Sequence, residues 1–162
     1  VYLVQGEQPQ DMIDVPQKLL VALDGSIASE KVLPYTRTLG QTFGSEITLL
    51  SVPQIPETEN YRAPAEVVEV LRAEAEVKMK NFLDAVARSL REDGLTVHTL
   101  VKGFRPATTI VETAENMEFD LIMLTSNGRG SFDRFIQGSD SERVVQNTHK
   151  NVFMMPSRNN QI

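Results

Sequence analysis

The chain has 162 residues, 41% of them hydrophobic and 23% charged, enough to bury the core of one ordinary domain and too apolar for a disordered chain. A formal net charge of −6 argues against a nucleic-acid partner, because phosphate backbones are bound by basic surfaces. There is no cysteine, which removes disulfides, thiol catalysis and thiolate metal sites together and fits a reducing cytoplasm. No run approaches the roughly 18 apolar residues of a membrane helix, and no charged-then-apolar leader opens the sequence, so the expectation is a soluble, cytoplasmic chain without membrane insertion.

Val1-Tyr2-Leu3-Val4 is a short apolar strand, and Gln5 to Pro16 is a polar Gly, Gln, Pro and Asp stretch that reads as a linker. With a first residue other than methionine, this pattern suggests a piece of something longer, with VYLV as the end of an upstream element. The division expected is 1–16 extension, 17–156 domain and 157–162 tail.

Lys18 to Leu23 is a continuous apolar run stopped by Asp24-Gly25-Ser26, the pattern of a strand buried on both faces. Ala28, Val32, Tyr35, Leu39 and Phe43 follow at helical spacing, with Ser26 placed to cap the first turn and Gly40 and Gly44 near the end. Ile47 to Val52 is a second buried strand, and Pro53, Pro56 and Pro64 hold the next residues in an extended loop. From Glu66 a long helix carries the stripe Leu71, Ala75, Met79, Phe82, Val86 and Leu90 up to Gly94. Its charges, Glu66, Glu69, Glu74 and Glu76 among Arg72, Lys78 and Lys80, read as a solvated face.

Leu95 to Val101 alternates more strongly, as an edge strand does. Pro106 opens a helix with Ile110, Val111 and Ala114 inward, and Asp120 to Leu124 is another apolar strand. After a glycine-bearing loop, Ser139 to His149 forms a last helix and Val152 to Met155 a last strand. Strands alternating with helices give right-handed βαβ units and an open, doubly wound parallel sheet. Ligands in such sheets bind beyond the carboxyl ends of the strands where strand order reverses, which directs attention to Asp24 and to residues 125–141.

In that segment Gly128 lets backbone amides approach a phosphate, and Gly138-Ser139 stands at a helix start, where free N–H groups favour an anion. Arg129 is the nearest cation. The same pattern serves tight turns and an ordinary N-cap, and spacing alone does not decide between them. His98 and His149 do not form a metal pair by spacing. A G-x-G-x-x-G motif is missing after the first strand, and a phosphorelay receiver would need an acidic pair where only Asp24 stands.

Gly128, nine intervening residues, then Gly138-Ser139 resembles the later part of the ATP motif of the universal stress protein family. The likeness extends from Lys18 to Pro156 through LVALDGS, LPY, ITLLSV, GRGSFDRFIQGSDSERVVQ and a closing strand ending in proline. It implies a flavodoxin-like sheet of five parallel strands in the order 3-2-1-4-5, also described as adenine nucleotide α-hydrolase-like. It further implies a regulatory module that binds ATP, with Mg2+ or Mn2+, and catalyses little or nothing. Asp24 would contact the nucleoside, Ala22 and Ile47 would line the adenine slot, and Leu124, Thr125, Gly128, Gly138, Ser139 and Ser141 would follow the ribose and phosphates. The closing strand, Val152, Phe153, Met154 and Met155, would pair across a homodimer. Two positions depart from the pattern: Thr125 replaces the motif's first glycine, and Asp140 puts a carboxylate beside the phosphate end of the helix. These departures keep a second expectation open, a nucleotide-free dimerising interaction domain such as the cytosolic part of a transporter or half of a tandem stress protein.

Overall fold

Short apolar runs bounded by turn residues become strands here, and longer runs with a 3.6-residue period become helices. A computed structural model of the protein describes residues 2–4, 15–54, 64–103, 105–126 and 140–156. The strands are β1 (Tyr2–Val4), β2 (Lys18–Ala22), β3 (Glu46–Ser51), β4 (Val97–Val101), β5 (Leu121–Ser126) and β6 (Asn151–Pro156). They form one six-stranded sheet in the order β1-β6-β5-β2-β3-β4. The five from β2 to β6 are parallel and, counted from β2, run 3-2-1-4-5, the order expected from the family resemblance. β4 lies at the sheet edge, as its alternating pattern predicts.

Alternate residues of each strand feed two separate cores. Leu19, Val21, Ile47, Leu49 and Met123 pack with Val32 and with Leu83, Ala87 and Leu90 on one face. Leu20, Leu50, Ile122 and Val152 pack with Ala107, Ile110, Ala114 and Val144 on the other. Coverage of both faces is why β2 and β3 read as unbroken apolar runs. The covering helices are α1 (Ile27–Glu30), α2 (Leu33–Phe43), α3 (Ala65–Glu92), α4 (Pro106–Asn116) and α5 (Asp140–Asn147).

The single helix expected after β2 is divided into α1 and α2 at Lys31-Val32. Pro34 lies in the first turn of α2, where its missing N–H costs nothing, whereas in a continuous helix it would break the ladder to the preceding turn. The inward line is accordingly Val32, Thr36 and Gly40, with Tyr35 and Phe43 exposed. Gly44, at φ 70°, closes α2 by donating its N–H to the Gly40 carbonyl at 2.9 Å.

The long α3 also departs from expectation. Phe82, Val86 and Leu90 join the core, but Leu71, from the same predicted stripe, remains 38% exposed. The short strand expected at the start of the sequence is β1, in which Tyr2, Leu3 and Val4 pair antiparallel with Met154, Phe153 and Val152 of the same sheet. The polar stretch expected to be a linker falls largely on residues 5–14, outside the described residues.

Candidate functional site

Strand order reverses between β2 and β5, because the chain runs from β2 outward to β3 and β4 and then returns to β5 and β6. The crevice beyond the carboxyl ends of β2 and β5 is therefore the candidate site. Its best-defined wall is the turn after β2. The Asp24 Oδ1 atom accepts two hydrogen bonds from Ser26, one from its backbone N–H at 2.9 Å and one from its hydroxyl at 2.6 Å. Ser26 Oγ in turn accepts from the Ser29 N–H at 3.1 Å and so caps α1. Ser29 completes the knot: its hydroxyl donates to the Ser26 carbonyl at 2.8 Å and accepts from the Asp24 N–H at 3.4 Å.

Partial burial pushes the Asp24 carboxyl upward, but hydrogen bonds from Ser26, aided by Ser29, outweigh it and hold the group below its ordinary value. Asp24 is thus a carboxylate at neutral pH, exposed at the mouth of the crevice. Both Ser26 bonds fall on Oδ1, and the exposed carboxylate can accept a further hydroxyl hydrogen bond. Gly25 between them has φ 80°, and a Cβ there would stand 3.2 Å from Met79 Cε, so α3 passes directly over the turn.

Of the other predicted residues, Ala22 is half-buried at the end of β2 and pairs with Leu50. The register of β2 on β5, with Val21 opposite Met123, carries Leu124 and Thr125 alongside the end of β2. Leu124 is buried, whereas Thr125 and Ser126, the last two residues of β5, are half-buried. Ser141 lies in the first turn of α5 next to Asp140, both half-buried. Gly128, Arg129, Gly138 and Ser139 lie outside the described residues.

Ile47 is not brought to this group. It has no exposure, pairs with Leu19 and Val97 near the start of β3, and packs into the core beneath Gly40. The strand's end, at Ser51, lies four residues further, about 13 Å along an extended chain. Just past the end of β3, Val52 is buried with Leu20, Leu50, Ala107 and Ile110 in the second core, and the Leu50 carbonyl accepts the Leu23 N–H at 2.9 Å. Sequence reading missed Met79 as a roof over the turn, a contact that its place in the helical stripe does not reveal.

The two histidines stay apart from the crevice. His98 Nε2 lies 2.9 Å from Glu46 Oε1 on the exposed β4 edge, and His149 is exposed after α5. Among the described residues there is no group of three or more His, Cys, Asp or Glu that could hold a metal ion. No helix among them is long and apolar enough to cross a membrane.

The strand order, both-face helical cover and acid-serine turn at the switch point define a doubly wound α/β module whose candidate site is the carboxyl end of the sheet. Within that class, residues 16–156 match the universal stress protein family, and the chain belongs to it. It is 27% identical over 142 residues to universal stress protein MJ0531 of Methanocaldococcus jannaschii, covering 86% of this chain and 81% of that one. Universal stress protein UspA from Lactobacillus plantarum superposes with a TM-score of 0.70 at 26% identity, covering 86% and 97% of the two chains. A family protein from Arabidopsis thaliana, solved with AMP bound, superposes with a TM-score of 0.66 at 20% identity, covering 90% and 94%.

Proposed function

We propose that this chain is a regulatory, adenine-nucleotide-binding module of the universal stress protein family, acting in the cytoplasm and taking ATP in the crevice beyond β2 and β5. The observation that carries the reading is the Asp24 turn. An ionised carboxylate is fixed at the switch point by Ser26 and can accept a further bond from a ribose hydroxyl, the hydrogen bond a nucleoside needs there. The structural relative that holds AMP supports the same ligand class. Thr125 and Ser126 at the end of β5 offer hydroxyls toward the phosphate side, and the first turn of α5 offers backbone N–H groups. Mg2+ or Mn2+ would arrive with the triphosphate, held mainly by phosphate and water oxygens as Mg2+ usually is. Asp140 and Glu142 in that first turn make such a cation useful, since without it they would face the phosphate charge.

Calorimetric titration with AMP, ATP and Mg-ATP tests the proposal. The parent is expected to bind, and Asp24→Ala to bind roughly tenfold or more weakly, as loss of a hydrogen bond to a charged group costs about 1.5–3 kcal/mol. A folded parent that takes up none of the three nucleotides would overturn it.

One observation favours a second reading, a dimerising or tandem interaction domain without nucleotide. The β6 edge, expected to pair across a homodimer, accepts an antiparallel strand, and because β1 of the same chain holds it at Val152–Met154, pairing there with a second copy requires that copy's strand to take the place of β1. An empty crevice together with stable self-association would select that reading.

A further inference from the structure

β4 is the last strand of the sheet and, among the described residues, pairs with β3 alone. In that parallel pair Ile47 donates its N–H to the Thr96 carbonyl at 2.9 Å, and Lys102 donates to the Ser51 carbonyl at 3.1 Å. Backbone groups alternate sides along a strand. Thr96, His98, Leu100 and Lys102 therefore turn theirs toward β3, while Val97, Thr99 and Val101 turn theirs outward, where a further strand would attach.

One of those outward groups is already taken. Arg91, in the last turn of α3, donates from Nε to the Val97 carbonyl at 3.0 Å and from Nη2 to the same oxygen. The turn between them explains the reach: Gly94, at φ 84°, reverses the chain, and the Leu95 N–H donates to the Leu90 carbonyl at 3.3 Å, so β4 starts beside the end of α3. Arg91 is exposed, and this bond rather than burial holds its side chain over the edge. A guanidinium bonds a carbonyl more strongly than an amide N–H does, so an incoming strand meets a competitor at this oxygen.

We infer that Arg91 is an autoinhibitory contact that keeps the β4 edge from pairing with β4 of a second copy of this chain. The edge is self-complementary: antiparallel pairing about Thr99 sets Thr99 against Thr99 and Val97 against Val101 on both sides of a two-fold axis. Each Val97–Val101 pair needs the Val101 N–H of one copy to reach the Val97 carbonyl of the other. Arg91 holds that oxygen in both copies, which leaves only the central pair fully formed, and so short a ladder is marginal. This edge lies across the sheet from β1 and β6, so association through it is distinct from any at β6.

Sedimentation velocity of the Arg91→Ala chain over a concentration series tests the contact. The variant is expected to gain an association step, roughly tenfold or more tighter than any the parent shows through this edge, as release of the carbonyl in both copies allows. Thr99→Pro added to Arg91→Ala is expected to abolish that step: the Thr99 N–H points outward, so proline there removes an edge donor and no bond to β3. Amide exchange of the Arg91→Ala chain, followed by NMR, locates the step without a second substitution. The Thr99 and Val101 amides are expected to slow as concentration rises. An Arg91→Ala chain that associates no more than the parent would overturn the inference. So would association that leaves the Thr99 and Val101 amides unprotected, or that persists in a folded Thr99→Pro double variant.

Discussion

Ser26 is the residue on which the crevice turn depends, because one hydroxyl both caps α1 and donates to Asp24. Ser26→Ala is expected to lower stability by about 1 kcal/mol through loss of the cap, read by urea denaturation. The same change removes a hydrogen bond that favours the Asp24 carboxylate, so the Asp24 titration, followed by NMR, should move upward. The pH dependence has a definite sign. The folded-state value of Asp24 is depressed below 3.8, so its contribution to stability is present above 3.8 and is lost as pH falls through the folded-state value. Asp24→Ala should therefore be less stable than the parent at neutral pH, with the difference closing in acid below 3.8. A difference that widens on acidification would show that the turn does not favour the carboxylate. Asp24 and Ser26 were legible in the sequence because turn acids and N-caps are set by local chemistry.

Within the elements, two glycines of α2 separate packing from backbone conformation. A Cβ on Gly40 would stand 2.7 Å from Leu95 Cδ2 and 3.1 Å from Ile47 Cδ1, both side chains of the core. Gly40→Ala gains about 1 kcal/mol of helix propensity and meets an overpacking cost of about 1–3 kcal/mol, so net destabilisation is expected. A Leu95→Val background, which opens space at the contact, should reduce that penalty. Gly44 has nothing within 4 Å of such a Cβ, but its φ is 70°. Gly44→Ala should cost about 1 kcal/mol through conformation alone, and Leu95→Val should leave that cost unchanged. Paired thermal melts of the four variants check both statements. Sequence reading took both glycines as helix-end signals, which holds for Gly44; Gly40 is a contact with Leu95, a partner 55 residues away that local spacing cannot reveal.

At the scale of the whole molecule, the sheet has β1 at one edge, where it covers β6, and β4 at the other. Unpaired strand edges invite pairing with other chains. Deleting Val1–Val4 removes the three residues that pair with Val152–Met154 and is expected to raise self-association, measured by light scattering against the parent at equal concentration. Unchanged scattering would mean that β1 does not protect this edge. Leu71 belongs by spacing to the buried stripe, yet the half of α3 that carries it extends past the sheet that would bury it.

The sequence by itself determined the βα alternation, the parallel sheet and its family, the position of the crevice turn and the edge status of β4. Each is written in local periodicity, turn residues or short motifs, which need no distant partner to be read. Tertiary structure alone decided which residues of those elements meet. It placed Ile47 in the core, laid Met79 over Gly25, and set β1 on β6. The physical reason is register and length. A strand's apolar residues look alike whether they stand at its start or its end, and a helix's stripe looks alike whether or not a sheet lies beneath it.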